Sequence, residues 1–395
     1  MLTVHEALEK IKQLARNFGE ETVPLEEAYG RVISEDVFSD RDYPPFNRAT
    51  MDGIAINVED FNSKNIKEYR AIQDVFAGSS FSDKIPEGQC VKIMTGAPVP
   101  DGTNAVVRIE DVEQKNNKLG INSEFIKPDQ NIAKRGEDLK KGALVLMSST
   151  LISPAEISSL AVLGKSQVKV FKQPTVAIIS TGNEVKPIDV HLSSFQIRDS
   201  NSYTIQAFFK KWGIQVSFKR LVKDDKESLL VTLKKALEHD IVITSGGVSM
   251  GDADFLPEIF DRLGVRKVFH KVQVKPGKPI WVGETDSSVV FGLPGNPVSV
   301  QVACKVFIEP FLRKSFGLND VLAIKLPFIS IRNKRTKFDE FFPCRVETKE
   351  RSGLKAIQYN GSGDITATLG SDGIALHPAA QDSLEEGTLI EFFPW

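Results

Sequence analysis

A multidomain protein of the α/β plus β class is what this sequence predicts, on three observations. Its 395 residues exceed one ordinary hydrophobic core, since chains split at roughly 100 to 200 residues per domain. From Pro174 to about Lys314, strand-like and helix-like patterns alternate, which argues for a central parallel sheet covered by helices on both faces. Short apolar runs cut by Gly, Pro, Asn and Asp fill the stretch from Val37 to Lys127 and return after Asn319, which reads as β-rich territory.

The elements follow in order. Thr3 and Glu6 form a capping-box pattern ahead of Leu8, Ile11 and Leu14, so the chain opens on an amphipathic helix. A second helical pattern, PLEEAYG, ends at Gly30. The runs YRAIQDVF, QCVKIM and NAVVRIEDV then read as strands. A helix returns with Ser153 as cap and Pro154 in its first position, and stops near Gly164. PTVAIIS, QVSFKRLV, IVITS and SVVFG read as the strands of the α/β part, with helices starting at NSYTIQAFFKKWG, DKESLL, DFLPEIF and LPGNP. KLPFISIR, EFFPCRVE, LKAIQYN and TLIEFF make a closing all-β domain. The expected division is a split helical domain over 1–36 and 129–170, a β-rich insertion over 37–128, an α/β domain over 171–320 and a β domain over 321–395.

With 50 Lys plus Arg against 52 Asp plus Glu there is no net basic field, so neither nucleic acid nor an anionic membrane is expected as partner. No apolar run approaches the ~18 residues of a membrane span, and no signal peptide is read at the N-terminus, which places the expected compartment in the cytoplasm. Cys90, Cys304 and Cys344, like the five histidines, are scattered without zinc or disulfide spacing. A working metal would therefore be a hard ion such as Mg²⁺ on oxygen ligands.

Ligands of open parallel sheets bind beyond the carboxyl ends of the strands, and three such ends carry unusual loops: STGNEV, TSGGVSMGDAD and LPGNP. Gly246 and Gly247 allow backbone amides close to a ligand, while Thr244, Ser245 and Ser249 add hydroxyl donors. Neither a P-loop nor a strict GxGxxG occurs, so the reading is a phosphorylated ligand on another Gly-rich loop, with plain structural turns as the alternative. In LPGNP, Asn296 is a good N-cap and Pro297 suits the first helical position, and free N–H groups there would favour an anion by roughly 0.3 to 1 kcal/mol. Asp252 and Asp254, behind the Gly-rich loop, suit Mg²⁺ shared with phosphate oxygens. Asp225 reads either as a functional acid or as a helix N-cap. Lys275-Pro276-Gly277-Lys278-Pro279 presents two lysines on a stiffened turn or is a surface hairpin. PPFNRATMDGIA, MTGAPVPDGTNAVVRIED and KRGEDLKKG are compact polar turns, each alone as readily a solvated turn as a site.

In order along almost the whole chain, MDG, MTGAPVPDG, NIAKRGEDL, STGNEV, IRDSNSY, TSGGVSMGDAD, KPGKP and GLPGNPVS resemble the MoeA-type molybdopterin molybdenumtransferases, the family that includes the E domain of gephyrin. The resemblance implies an enzyme of molybdenum cofactor biosynthesis that inserts molybdate into adenylated molybdopterin, with Mg²⁺ and release of AMP. It implies an α/β domain of molybdopterin-adenylyltransferase type, and a homodimer whose cleft draws on both subunits. Other enzymes of the same biosynthesis are further expected partners. By the family's pattern the functional acids fall on Asp52, Asp138, Glu184, Asp225 and Asp254, with Thr95 beside them. Pro294 and Pro297 match as well, and the substrate cleft is expected to use Ser245, Gly246, Gly247, Ser249, Lys275, Lys278, Pro294, Gly295, Asn296 and Pro297. Asn47 and Ile54 depart from the family's usual acid and aromatic around MDG. An adenylyltransferase and a gephyrin-like scaffold are the rival readings; the extra MDG, MTGAP and RGED tracts argue against the first and the intact acids against the second.

Overall fold

The computed structural model describes residues 1–79, 83–248, 255–320, 323–348 and 352–395. The chain forms two compact units, one of Met1–Glu35, Ser149–Ile157 and Ser166–Trp395, the other of Asp36–Ser148 and Ser158–Lys165.

At the centre of the first unit lies a six-stranded sheet. Its strands are β1 (Val176–Thr181), β2 (Val216–Val222), β3 (Ile241–Ser245), β4 (Arg266–His270), β5 (Trp281–Glu284) and β6 (Val289–Leu293), in the order β2-β1-β3-β6-β5-β4. β1, β3 and β6 are buried along their whole length, as near-continuous apolar runs demand when both faces are covered. Along β1, Val176 and Ile178 join one core with Ile205 and Phe209 of helix α1 (Asn201–Lys211). Ala177 and Ile179 join the opposite core with Leu229 and Leu233 of α2 (Lys226–Ala236) and Phe260 of α3 (Leu256–Arg262). Period-two alternation thus feeds both faces.

The sheet departs from the all-parallel expectation at one edge. β2, β1, β3 and β6 are parallel, but β5 runs antiparallel to β6 and β4 antiparallel to β5. Only four residues separate β5 from β6, too few for the crossover a parallel pair requires. The helix after LPGNP also differs from a plain one. It starts as α4 (Pro297–Ala303), passes through a π turn at Cys304–Ile308 and resumes as α5 (Glu309–Ser315). Pro310 has no N–H to give, and a π turn is one way a helix accommodates the missing bond.

The opening helix spans Val4–Gln13 with its capping box formed, Glu6 N donating to Thr3 Oγ1 at 3.2 Å and Thr3 N to Glu6 Oε2 at 2.8 Å. PLEEAYG supplies only one 3₁₀ turn, Leu25–Glu27, because its preceding residues Glu20–Pro24 pair as a strand with Gln167–Phe171. At the C-terminus, Asp339–Glu347, Gly373–His377, Leu389–Pro394 and Ile324–Pro327 pair antiparallel in that order, with Gly353–Ala356 beside the first. Val274–Lys275 adds a parallel edge strand to Asp339–Glu340, so the lysine turn is tied by its backbone to this sheet.

The second unit carries a six-stranded sheet in the order Ala105–Arg108, Gly53–Ile56, Gln89–Ile93, Glu68–Val75, Lys118–Ile121, Val112–Lys115. Gly53 of MDG sits between two strands so closely that a Cβ there would lie 1.8 Å from Val107 O. Packing alone demands glycine at that position.

Candidate functional site

The three loops singled out in the sequence meet at one edge of the first unit's sheet. Ser180 of β1 is level with Ser245 of β3, and Ser245 with Leu293 of β6. Gly246 N donates to Leu293 O at 3.0 Å. Gly246 and Gly247 have φ of 93° and 67°, a conformation glycine reaches without Cβ strain, and a Cβ on Gly246 would meet Thr181 O at 2.5 Å. A Cβ on Gly295 would lie 3.8 Å from the Gly246 Cα, so the LPGNP loop runs against the Gly-rich loop.

Residues 199–202 gather these loops. Asp199 is buried and accepts from Ser180 Oγ at 3.0 Å, Ser202 N at 3.1 Å and Ser202 Oγ at 2.6 Å. Asn201 Nδ2 donates to Ser245 Oγ at 2.9 Å and to Gly295 O at 2.7 Å. Thr181 Oγ1 donates to Asp224, whose N–H reaches Asn183 Oδ1 at 3.3 Å. Glu184 is exposed on the same loop. Asp225 caps α2, accepting from Ser228 N at 2.8 Å, and that backbone donor holds its carboxyl below the usual range. Ser249, Asp252 and Asp254 lie outside the described residues.

Lys275, Lys278, Pro294 and Asn296 line a cavity of about 290 Å³ together with Ser299, Thr336, Phe338 and Ser362. Lys275 Nζ is 3.3 Å from Glu340 Oε1, and Lys278 Nζ sits 5.7 Å from the Phe338 ring centre. Glu340 is buried and also accepts from Thr336 Oγ1 at 2.5 Å and Arg332 Nη2 at 2.7 Å. Burial pushes its carboxyl up, but the Thr336 hydroxyl and the Arg332 guanidinium outweigh it and hold the group below its usual range. His377, fully buried, is pushed down to about 4 by burial and by Arg332. Its neutral ring therefore takes a hydrogen bond at Nδ1 from Arg332 Nη1, 2.8 Å away.

The helix start at Pro297 differs from the free anion cradle expected there. Asn296 occupies the N-cap position, but its side chain caps nothing and donates to Ser362 Oγ at 2.8 Å. Val298 N donates to Ser362 O at 3.2 Å. The loop around Ser362 takes up donors that the local sequence left open.

In the second unit Asp52 and Thr95 come together, Asp52 Oδ1 accepting from both Thr95 N and Thr95 Oγ1 at 2.7 Å. Those two donors, the backbone one first, hold the Asp52 carboxyl below its ordinary value. The flanking loops are laced by Gly96 N to Ala49 O at 2.8 Å and Ala49 N to Ala97 O at 3.0 Å. Asp138 is exposed, its N–H donating to Tyr43 O at 3.0 Å, and among the described residues no hydrogen bond joins it to Asp52 or Thr95. Arg135, beside it, pairs with Asp42 at 2.7 Å.

Residues 2–164 match the MoeA N-terminal region (domain I and II), and residues 177–314 match a probable molybdopterin binding domain. Proteins named molybdopterin molybdenumtransferase from Staphylococcus epidermidis and Staphylococcus aureus are 32% identical to it, over 99% of this chain and 94% of theirs. The chain belongs to the MoeA family. A crystal structure of the molybdopterin biosynthesis MoeA protein of Pyrococcus horikoshii OT3 superposes with a TM-score of 0.86 at 29% identity, covering 100% of both chains. A second MoeA structure from Pyrococcus horikoshii gives 0.82 at 30% identity over 100% of this chain and 99% of that one. The MoeA likeness thus extends over both units, including the C-terminal sheet.

Asp199, Asn201, Asp224 and Glu340 are among the polar residues at these loops and the adjoining cavity that sequence reasoning left unassigned. Asp199 and Asn201 lie inside IRDSNSY, where an acid and an amide at a helix start read as ordinary capping chemistry. No local signal marks Glu340, which meets Lys275 from 65 positions away.

Proposed function

We propose that this MoeA-family transferase inserts molybdate into adenylated molybdopterin, breaking the phosphoanhydride and releasing AMP, with Mg²⁺ as assisting ion. The observation that carries the reading is the meeting of the STGNE, Gly-rich and LPGNP loops at one carboxyl edge, beside the lysine-lined cavity. Backbone amides of glycines at positive φ and a serine hydroxyl suit phosphate oxygens. Two ammonium groups among the hydroxyls of Ser299, Thr336, Tyr359 and Ser362 suit a small oxyanion such as molybdate.

Such a reaction asks for little covalent work by the protein. Molybdenum ends up bound by the dithiolene sulfurs of the substrate, consistent with three buried and dispersed cysteines. What remains is positioning and charge stabilisation, for which Lys275, Lys278 and the amides at Gly246 and Gly247 are the proposed groups. Asp52, Thr95, Asp138, Glu184, Asp225 and Asp254 are the proposed catalytic set. Asp225 can serve beyond its cap because it stays exposed at the start of α2.

Among the described residues no three His, Cys, Asp or Glu side chains cluster as a metal site. Mg²⁺ characteristically takes one or two carboxylates and completes its shell with water and phosphate, so Asp252 and Asp254 are the proposed protein ligands. When bound there, the ion offsets charge on the scissile phosphate. A homodimer is the proposed assembly. Molybdate-dependent AMP release from adenylated molybdopterin tests the reading; pyrophosphate release from molybdopterin and Mg-ATP in its place would overturn it in favour of an adenylyltransferase.

A further inference from the structure

Asn201 makes a set of contacts that fixes more than the start of a helix. Gly295 O can only accept, so the nitrogen end of the Asn201 amide must face it. The same Nδ2 reaches Ser245 Oγ, so its second hydrogen is spent there. Ser245 Oγ is therefore an acceptor in this bond, and its own hydrogen has no acceptor among the described residues. The other end of the amide supplies an independent sign: among the described residues the buried Asn201 Oδ1 has no partner, the kind of unsatisfied group a native structure keeps for a reason other than stability. With Asp199 holding Ser180, the segment 199–202 grips the ends of β1, β3 and β6 at once.

We infer that Asn201 is a positioning residue that fixes Ser245 as a hydrogen-bond donor to a phosphate oxygen of the substrate and latches the LPGNP loop against the Gly-rich loop. The inference rests on the reading that this edge binds a phosphorylated pterin. A donor locked in this way prefers an anionic acceptor and disfavours a ligand that would donate to Ser245.

The test is Asn201→Asp, which keeps the shape and reverses the polarity. The new carboxylate has no hydrogen for Gly295 O and draws the Ser245 hydrogen to itself. In the free protein, hydrogen exchange at the Gly246 amide, which donates to Leu293 O, should rise, while exchange within β1 stays unchanged. Affinity for adenylated molybdopterin, measured by calorimetry, should fall on the order of tenfold or more, the scale of one hydrogen bond to a charged group. Because Asn201 acts through Ser245, adding Asn201→Asp to Ser245→Ala should weaken binding little beyond Ser245→Ala alone. Asn201→Ala removes the same contacts without a charge and carries the test if the aspartate variant does not fold. Unchanged exchange at the Gly246 amide overturns the latch, and wild-type affinity in the variant, or fully additive losses with Ser245→Ala, overturns the donor assignment. Failure of the wild-type protein to bind the adenylated pterin would overturn the functional reading itself, while the exchange result decides the latch independently.

Discussion

Asp52 and Thr95 stand 43 positions apart, yet one carboxylate oxygen takes both of the threonine's donors. Thr95→Val removes the hydroxyl and keeps the backbone N–H, so the Asp52 carboxyl should titrate closer to its ordinary value. Its depressed folded pKa favours the native state above the unfolded value of about 4, an advantage lost as pH falls from there through the folded value; in the variant the advantage should be smaller and its loss complete at a higher pH. Carboxyl chemical shifts followed against pH measure it, and an unchanged midpoint would deny the hydroxyl any part. At the proposed metal ligand Asp254, replacement by Asn keeps size and removes charge. Turnover should drop by ~3 to 4 kcal/mol of barrier, on the order of a hundredfold to a thousandfold, with substrate affinity retained; near-normal AMP release would sink that assignment. The loop acids could be singled out in the sequence only through the family's ordered motifs, because a loop acid by itself reads as readily as a solvated turn. Asp224 and Glu340 could not, because their partners Thr181 and Lys275 are brought to them only by tertiary approach.

The alternation of strand and helix patterns made β1, β2, β3 and β6 and their helices legible, and in β1, β3 and β6 burial on both faces leaves a continuous apolar run in the sequence. The antiparallel strands β4 and β5 escaped because RKVFH and WVGE are short and partly charged, and the π turn because it depends on how Pro310 is accommodated by the helix before it. MDG is legible as a motif, but its glycine has a reason visible only in the sheet. Gly53→Ala would place a methyl 1.8 Å from Val107 O and must push apart Gly53–Ile56 and Ala105–Arg108. Overpacking of this kind costs about 1 to 3 kcal/mol or more, so the urea midpoint of the second unit should fall, and an unaltered midpoint would contradict the packing. In the C-terminal sheet, Glu340→Ala leaves Arg332 without its 2.7 Å partner. Breaking a buried pair from one side typically costs ~3 to 5 kcal/mol; because Arg332 keeps some solvent access, the lower end is expected, and it should appear as a loss of stability in urea.

For the whole molecule, a homodimer predicts sedimentation at twice the 43.7 kDa chain mass at micromolar concentration, and a purely monomeric boundary would count against it. Global stability against pH follows from His377, buried beneath the Arg332–Glu340 pair in the C-terminal sheet. The unfolded chain binds a proton on this ring near its ordinary 6.5, whereas burial and Arg332 delay that binding in the native state to about 4. Between those values the unfolded state holds more protons, so stability must fall as pH is lowered from about 6.5 towards 4, with a limiting slope of about 1.4 kcal/mol per pH unit from this one group. His377→Gln keeps an acceptor for Arg332 and removes the titration. Chemical denaturation across this range should give curves for wild type and variant that diverge by up to that slope, wild type losing more as the pH drops. Parallel curves would mean that the ring is protonated alike in both states and that its neutral, accepting form is not what supports Arg332.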